Sequence, residues 1–330
     1  MTCTRVKLAC LGISLGLVFG LEVAPRPASA FSNVYFFGDS LSDTGNFDPA
    51  AVDAALMTSL VNSYGYDANR WTNAGGKVWT EDFAAALGLG NDAVASSLGG
   101  NNYAVGGARS DEVLSQQIPQ FSTDQLGVAD PSALYVVWAG GNDMLQNITL
   151  GRTPTQAVSD VKQSVLQLQS LGANEFLVGN LFDFSPSPNV GPLVGDPRAV
   201  IPANAAAWSA DFSTELATAL AGLTGLTGLT GLTIHLFDAK TLMDPWLTDP
   251  VGSGFPEGLT QWSGCVNVPS SCSSSNVDDF LLQDNLHMTS AAHQRIALGA
   301  LAALPEPREL LLLGVGLLAT WHTRKRARRS

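Results

Sequence analysis

The sequence predicts an α/β fold, a mainly parallel sheet covered by helices on both faces. Three observations predict it. Short apolar runs bounded by glycine or polar residues recur between residues 31 and 304, helical patterns separate them, and the runs are continuous rather than alternating. A continuous apolar run marks a strand buried on both faces. Strand and helix in alternation build a parallel sheet with a helical layer on each side.

The expected strands are VYFF (34–37), LYVVWA (134–139), EFLVGN (175–180) and IHLFDA (234–239). Between the second and third, TPTQAVSDVKQSVLQLQSLG (153–172) offers Thr153 as N-cap and Pro154 at the first helical position. Val158, Val161, Val165 and Leu168 form one apolar face, and Gly172 is the stop. PANAAAWSADFSTELATALAG (202–222) and TSAAHQRIALGALAAL (289–304) read as two further helices. The tandem tripeptide GLTGLTGLTGLT (222–233) follows a helix expected to end near Leu220. Glycine at every third position makes it a poor helix, so it reads as an expanded helix–strand connection.

Both ends of the chain read as addresses. Arg5 and Lys7, an apolar stretch from Leu8 to Leu21 and the ASA ending at Ala30 have the layout of a secretory signal peptide over residues 1–30. The other reading is a membrane anchor, for which the run is short of the ~20 residues a span needs. No apolar region precedes Cys10, which argues against lipoprotein attachment there. Residues 305–330 combine Pro305-Glu306-Pro307, an apolar run from Leu310 to Trp321 and the basic RKRARR. They resemble the PEP-CTERM sorting signal of Gram-negative bacteria, and the resemblance implies an exosortase-type processing enzyme as a partner. Clustered Lys and Arg hold that end on the cytoplasmic side, and a plain C-terminal anchor is the alternative.

Residues 31–304 are then one large domain or at most two. The chain carries a formal charge of −12, and its ends are the basic part: 31–304 alone hold 8 Lys and Arg against 26 Asp and Glu. Such a field repels nucleic acid and anionic membranes, which excludes a DNA- or RNA-binding role. Cys265 and Cys272 are the cysteines of this core, in CVNVPSSC. In an exported protein a loop disulfide between them persists; two unpaired thiols are the alternative. Nothing in the sequence sets the oligomeric state.

YFFGDSLSDTGN (35–46) changes character at Gly38, where an apolar run gives way to acids and hydroxyls. Ser40 is either a turn serine or a nucleophile at the end of a buried strand, where doubly wound sheets bind ligands. Three other stretches favour the nucleophile. NNYAVGGARS (101–110) is glycine-rich and can present a backbone N–H, and WAGGNDM (138–144) brings Asn142 out at the same sheet edge. DNLHMTS (284–290) places Asp284 three residues ahead of His287, just before a helix that Thr289 or Ser290 can cap. At that spacing the carboxylate can hold one imidazole nitrogen while the other takes the serine proton. Of the other core histidines, His235 lies within a strand and is expected to pack, and His293 on the last helix to be a surface or packing residue.

These stretches together resemble the SGNH (GDSL) hydrolase family. FGDSLSDTGN matches its first block, NYAVGGA resembles the second, GGND fits the third and DNLH matches the fifth, all in family order. NRWTNAGGKVWTEDFAAALG (69–88) is also similar to the family segment that follows the first block. The resemblance implies a three-layer α/β/α sandwich with a flavodoxin-like sheet, and an exported serine esterase or lipase that needs no cofactor. It implies Ser40 as nucleophile, His287 as general base and acid and Asp284 as orienting carboxylate. The Ser40 and Gly107 N–H groups and the Asn142 amide would form the oxyanion hole. Gly106 competes with Gly107, which is preferred because it lies five residues after Asn102. Asp39, Asp43 and Asn46 are expected to brace the turn, as is Asp143.

GNLFDFSPSPN (179–189) lacks the LPxLG form frequent in relatives. It borders the expected acyl pocket, so it bears on substrate more than on mechanism. The substrate is expected to be a short- to medium-chain ester or a lipid, with carbohydrate O-deacetylation, acyl transfer and a catalytically inactive binding protein as alternatives. No His, Cys and carboxylate cluster has zinc spacing, Gly76-Lys77 is followed by Val78 rather than by the Ser or Thr of a phosphate loop, and no dinucleotide fingerprint follows a strand.

Overall fold

A computed structural model describes residues 31–47, 70–146, 150–186, 204–224, 231–260, 277–283 and 286–305. The signal-peptide segment, the two cysteines, Asp284 and the tail from Glu306 onward lie outside the described residues.

The expected strands form one parallel sheet in the order β1 (Val34–Gly38), β2 (Leu134–Trp138), β3 (Glu175–Gly179) and β4 (Thr233–Phe237). A further segment lies along β1's other edge. Phe36 N–H donates to Asn101, Tyr103 N–H to Phe36 and Val105 N–H to Gly38, which continues a parallel ladder beyond β1. β1 is thus flanked on both sides, and all five of its residues are buried.

Alternation along β1 sends its side chains into two helical layers. Phe36 packs edge-on against Trp79 and Phe83 of α1 (Trp79–Ala86). Phe37 stacks on Tyr103 and meets Phe121 of α2, which starts at Ser110–Glu112, passes through a π-helical turn at Val113–Gln117 and ends as Ile118–Asp124. After β2 come the short α3 (Gly141–Leu145) and α4 (Pro154–Ser170). Thr153 caps α4 as expected, its hydroxyl accepting the Gln156 N–H at 3.2 Å.

The helix α5 (Ala205–Thr224) packs against α4 and runs through the first Gly-Leu-Thr, past the end expected near Leu220. Leu216, Leu220 and Leu223 continue its buried face, so packing overrides the glycine penalty there. After β4 come α6 (Ala239–Thr248), the small parallel pair β5 (Gly258–Thr260) and β6 (Phe280–Leu282), and α7 (Ser290–Ala302). α7 packs on α1 and α6, opposite the layer formed by α2, α4 and α5. The result is the three-layer α/β/α arrangement.

Candidate active site

Ser40 sits where β1 ends. Gly38 has no room for a side chain, because a Cβ there would lie 2.4 Å from the Trp138 carbonyl oxygen of β2. The chain then turns tightly. The Asp39 carbonyl accepts the Ser42 and Asp43 N–H groups, both at 3.0 Å, and the Asp39 carboxylate accepts the Leu41 N–H at 3.1 Å. Gln117, from the π-helical turn of α2, grips the strand end with both ends of its amide. Its Oε1 accepts the Gly38 N–H at 3.0 Å and its Nε2 donates to the Gly38 carbonyl at 2.7 Å.

His287 arrives from the far end of the chain. Its segment is pinned to β6 by the Gln283 N–H on the His287 carbonyl and the Thr289 N–H on Leu281. Thr289, rather than Ser290, caps α7, while the Ser290 hydroxyl accepts the Lys77 N–H. The outcome is a 3.0 Å contact between His287 Nε2 and Ser40 Oγ, with both residues buried. Trp71 stacks on the His287 ring, with centroids 4.8 Å apart and planes at 29°. Asp284, the expected partner of this histidine, lies outside the described residues.

The loop that follows the edge segment carries the two competing glycines. The Gly106 N–H donates to the Asp43 carboxylate at 2.8 Å, and Gly106 is buried with the Trp71 indole 2.5 Å from where a Cβ would stand. Gly107 is exposed with φ +80°. Among the described residues no hydrogen bond is donated by the Gly107 or the Ser40 N–H. Asn142, in the first turn of α3, donates its amide to the Ala108 carbonyl at 3.1 Å, which ties the two loops together.

The bracing residues are all engaged. Asp43 also accepts the N–H groups of Gly45, Asn46 and Phe47. Asn46 donates to the carbonyls of Asn102 and Ala104 and accepts from Ser96 and Ser97. Asp143 accepts from Ser110 and Arg152. Burial raises the pKa of Asp43 and Asp143 despite these donors. Asp39 is pushed up to about 6, chiefly by burial, with Asp143 adding to the rise and Leu41, His287 and Asn142 opposing it.

Two histidines behave differently from His287. His235 pairs with Glu175 across β3 and β4 at 2.6 Å and is half-buried. His293 is fully buried on α7, which decides for packing over the surface, and its ring lies against the Trp71 backbone. Burial, then the nearby His287, pushes it down to about 3, so it stays neutral. Sequence reasoning assigned nothing to Trp71, Gln117 or Arg152. Arg152 alone left a signal, as one of only 8 basic residues in so acidic a core.

The family model for GDSL-like Lipase/Acylhydrolase matches residues 34–299. The chain belongs to this family. Among curated relatives it is 32% identical to Esterase EstA of Pseudomonas aeruginosa over 42% of this chain and 27% of that protein. It is 29% identical to Lipase 1 of Photorhabdus luminescens over 49% of this chain and 24% of that protein. A Pseudomonas putida protein from a trpE-trpG intergenic region is 27% identical over 94% of this chain and 53% of its own. The chain thus spans from about a quarter to about half the length of these relatives. Among solved structures, a lipolytic G-D-S-L protein from Veillonella parvula is similar at TM-score 0.45 and 14% identity, over 83% of this chain and 99% of that one. An acetyl xylan esterase variant from Geobacillus stearothermophilus is similar at TM-score 0.40 and 13% identity, over 82% and 93%.

Proposed function

We propose that this chain is an exported serine esterase that cleaves carboxylic esters through an acyl-enzyme on Ser40. The observation that carries the reading is the 3.0 Å contact between Ser40 Oγ and His287 Nε2 at the carboxyl end of β1. Family membership and the curated relatives named esterase and lipase support it.

In this reading His287 takes the Ser40 proton as Oγ attacks the ester carbonyl carbon. The tetrahedral oxyanion is met by the N–H groups of Ser40 and Gly107 and by the Asn142 amide. A single such donor is worth roughly 10²–10³ in rate. His287 then passes its proton to the departing alkoxide, leaving an acyl group on Ser40. Water attacks that ester, gives its proton to His287 and releases the acid, and the proton returns to Ser40 Oγ. Asp284 holds the imidazole in the tautomer this needs. The engagement of Gly106 with Asp43 favours Gly107 as the loop's donor.

Residues 1–30 and 305–330 would act outside this chemistry, as export and sorting signals. The substrate would be a short- to medium-chain ester or a lipid. An acylated polysaccharide is the competing substrate, and the acyl-length profile separates the two. The test is hydrolysis of p-nitrophenyl esters from acetate to palmitate by the full chain and by Ser40→Ala, with a fluorophosphonate label on each. Turnover and labelling that vanish in the variant are expected. Equal, negligible signals in both would sink the reading.

A further inference from the structure

A buried carboxylate beside Asn142 has its own cation. The Asp143 side chain has no exposed surface, and it accepts the Ser110 N–H at 2.7 Å and the Ser110 hydroxyl at 2.8 Å. Arg152 donates to the same carboxylate at 2.6 and 2.9 Å, and from Nη2 to Ser110 Oγ at 3.0 Å and to Asp160. The Gly107 turn is therefore tied down at two points just beyond the glycine. Ala108 is held by Asn142, and Ser110 by Asp143.

Other charges surround the pair: Asp39 from the end of β1 and Arg109 from the start of α2 act on Asp143, while Asp111 from the start of α2 and Asp160 from α4 pair with Arg152. Arg109 is held by Asp111, Glu112 and Gln146. Asp39 and Asp160 add negative charge. Arg152 is the cation bonded to Asp143, and a buried carboxylate stripped of its cation takes up a proton.

We propose that Arg152 is a positioning residue for the oxyanion hole: it keeps Asp143 ionised, and ionised Asp143 fixes the Gly107–Ser110 turn against Asn142. The inference rests on the esterase reading for its kinetic consequence, but not for its electrostatic one. A protonated Asp143 has lost acceptor capacity toward Ser110, so the turn loosens and the Gly107 N–H drifts from the oxyanion position. A simple tie between α2 and α4 would also account for the bonds to Arg152, and its variants would behave alike at every pH.

The experiment compares the full chain with Arg152→Gln, Arg152→Lys and the double variant Asp143→Asn/Arg152→Gln, by thermal unfolding and p-nitrophenyl acetate kinetics across pH 5–9. For Arg152→Gln the melting temperature should fall by on the order of 10 °C at alkaline pH and much less near pH 5. Its kcat should fall about 10- to 100-fold with KM within about twofold, and the acid limb of its kcat profile should move to higher pH. The double variant, which has no charge to compensate, should lose the extra pH-dependence of melting that Arg152→Gln adds and return the limb to its parental place. Arg152→Lys should keep the parental pH-dependence of melting and lose part of kcat. A melting loss in Arg152→Gln that is the same at every pH, or a limb that stays put, would overturn the proposal. If Arg152→Gln does not fold, the lysine and double variants carry the same comparison. A parent chain without esterase activity would overturn the esterase reading, and melting alone would then decide Arg152's hold on Asp143.

Discussion

The Asp43 carboxylate accepts the Gly106 N–H at 2.8 Å, and with it joins the turn after β1 to the glycine loop beside it. Four backbone N–H groups converge on this one buried side chain. Asp43→Ala would strand all of them, at about 1–3 kcal/mol for each that water does not reach. We expect it to cost about 3–5 kcal/mol in urea unfolding. Asp43→Asn, which keeps one acceptor oxygen, should cost less. Equal stability for alanine variant and parent would remove Asp43 as the brace.

Gly106 and Gly107 should respond in opposite ways to alanine. A Cβ on Gly106 meets the Trp71 indole at 2.5 Å, and Trp71 stacks on His287. On Gly107 it meets nothing within 4 Å, but φ of +80° strains any L side chain. Gly107→Ala should therefore cost about 1–2 kcal/mol of stability and leave the Trp71 environment unchanged by near-ultraviolet circular dichroism. Gly106→Ala should change that signal and lower kcat/KM by at least about tenfold. The reverse ranking of the two signals would refute the packing account.

Gln117 should matter through Gly38. Gln117→Leu leaves the buried Gly38 N–H without an acceptor, while the Gly38 carbonyl keeps Val105. A loss of about 1–3 kcal/mol in unfolding free energy is expected. Fluorophosphonate labelling of Ser40 should slow along with it. A variant as stable as the parent and labelled as fast would show the grip on Gly38 to be dispensable.

Asp39 should contribute stability that is lost as pH rises through the acidic range, while buried His293, pushed down to about 3, acts in the opposite direction. Asp39, raised to about 6 in the folded chain, binds its proton more tightly there than unfolded, where it titrates near 3.9. Its contribution is complete below pH 4 and is lost as pH climbs through about 6, about 3 kcal/mol at most. Asp43 and Asp143 are raised as well and push the same way. Asp39→Asn should therefore make the change in melting temperature from pH 4 to pH 7 more positive than in the parent, because this one contribution is gone. An unchanged slope would mean Asp39 is not buried as described.

What was legible in the sequence followed from local chemistry. Continuous apolar runs marked β1, β2 and β3 because a strand covered on both faces has no polar side to show, and β4 was marked by the same signal although it lies at the sheet's end and is largely exposed or half-buried. Ser40 and His287 were visible because each sits at a polar turn next to an apolar run. The roles of Trp71, Gln117 and Arg152 were not, even with Arg152 standing out as a rare cation, since each acts on a partner 79 or 9 positions away, or on a ring from the far end of the chain. Nothing in an isolated glutamine says that a π-helical turn aims it at a glycine. For His293 the sequence left surface and packing open, and its burial, which decides for packing, comes from contacts between layers rather than from its neighbours in sequence.

Ser40 and His287 lie 247 positions apart and meet only through the strap joining β6 to α7. During synthesis the serine therefore emerges long before the imidazole that would activate it. In the esterase reading, a growing chain stays chemically silent until α7 docks. Its hydrolytic power arrives in one step, when folding is all but finished.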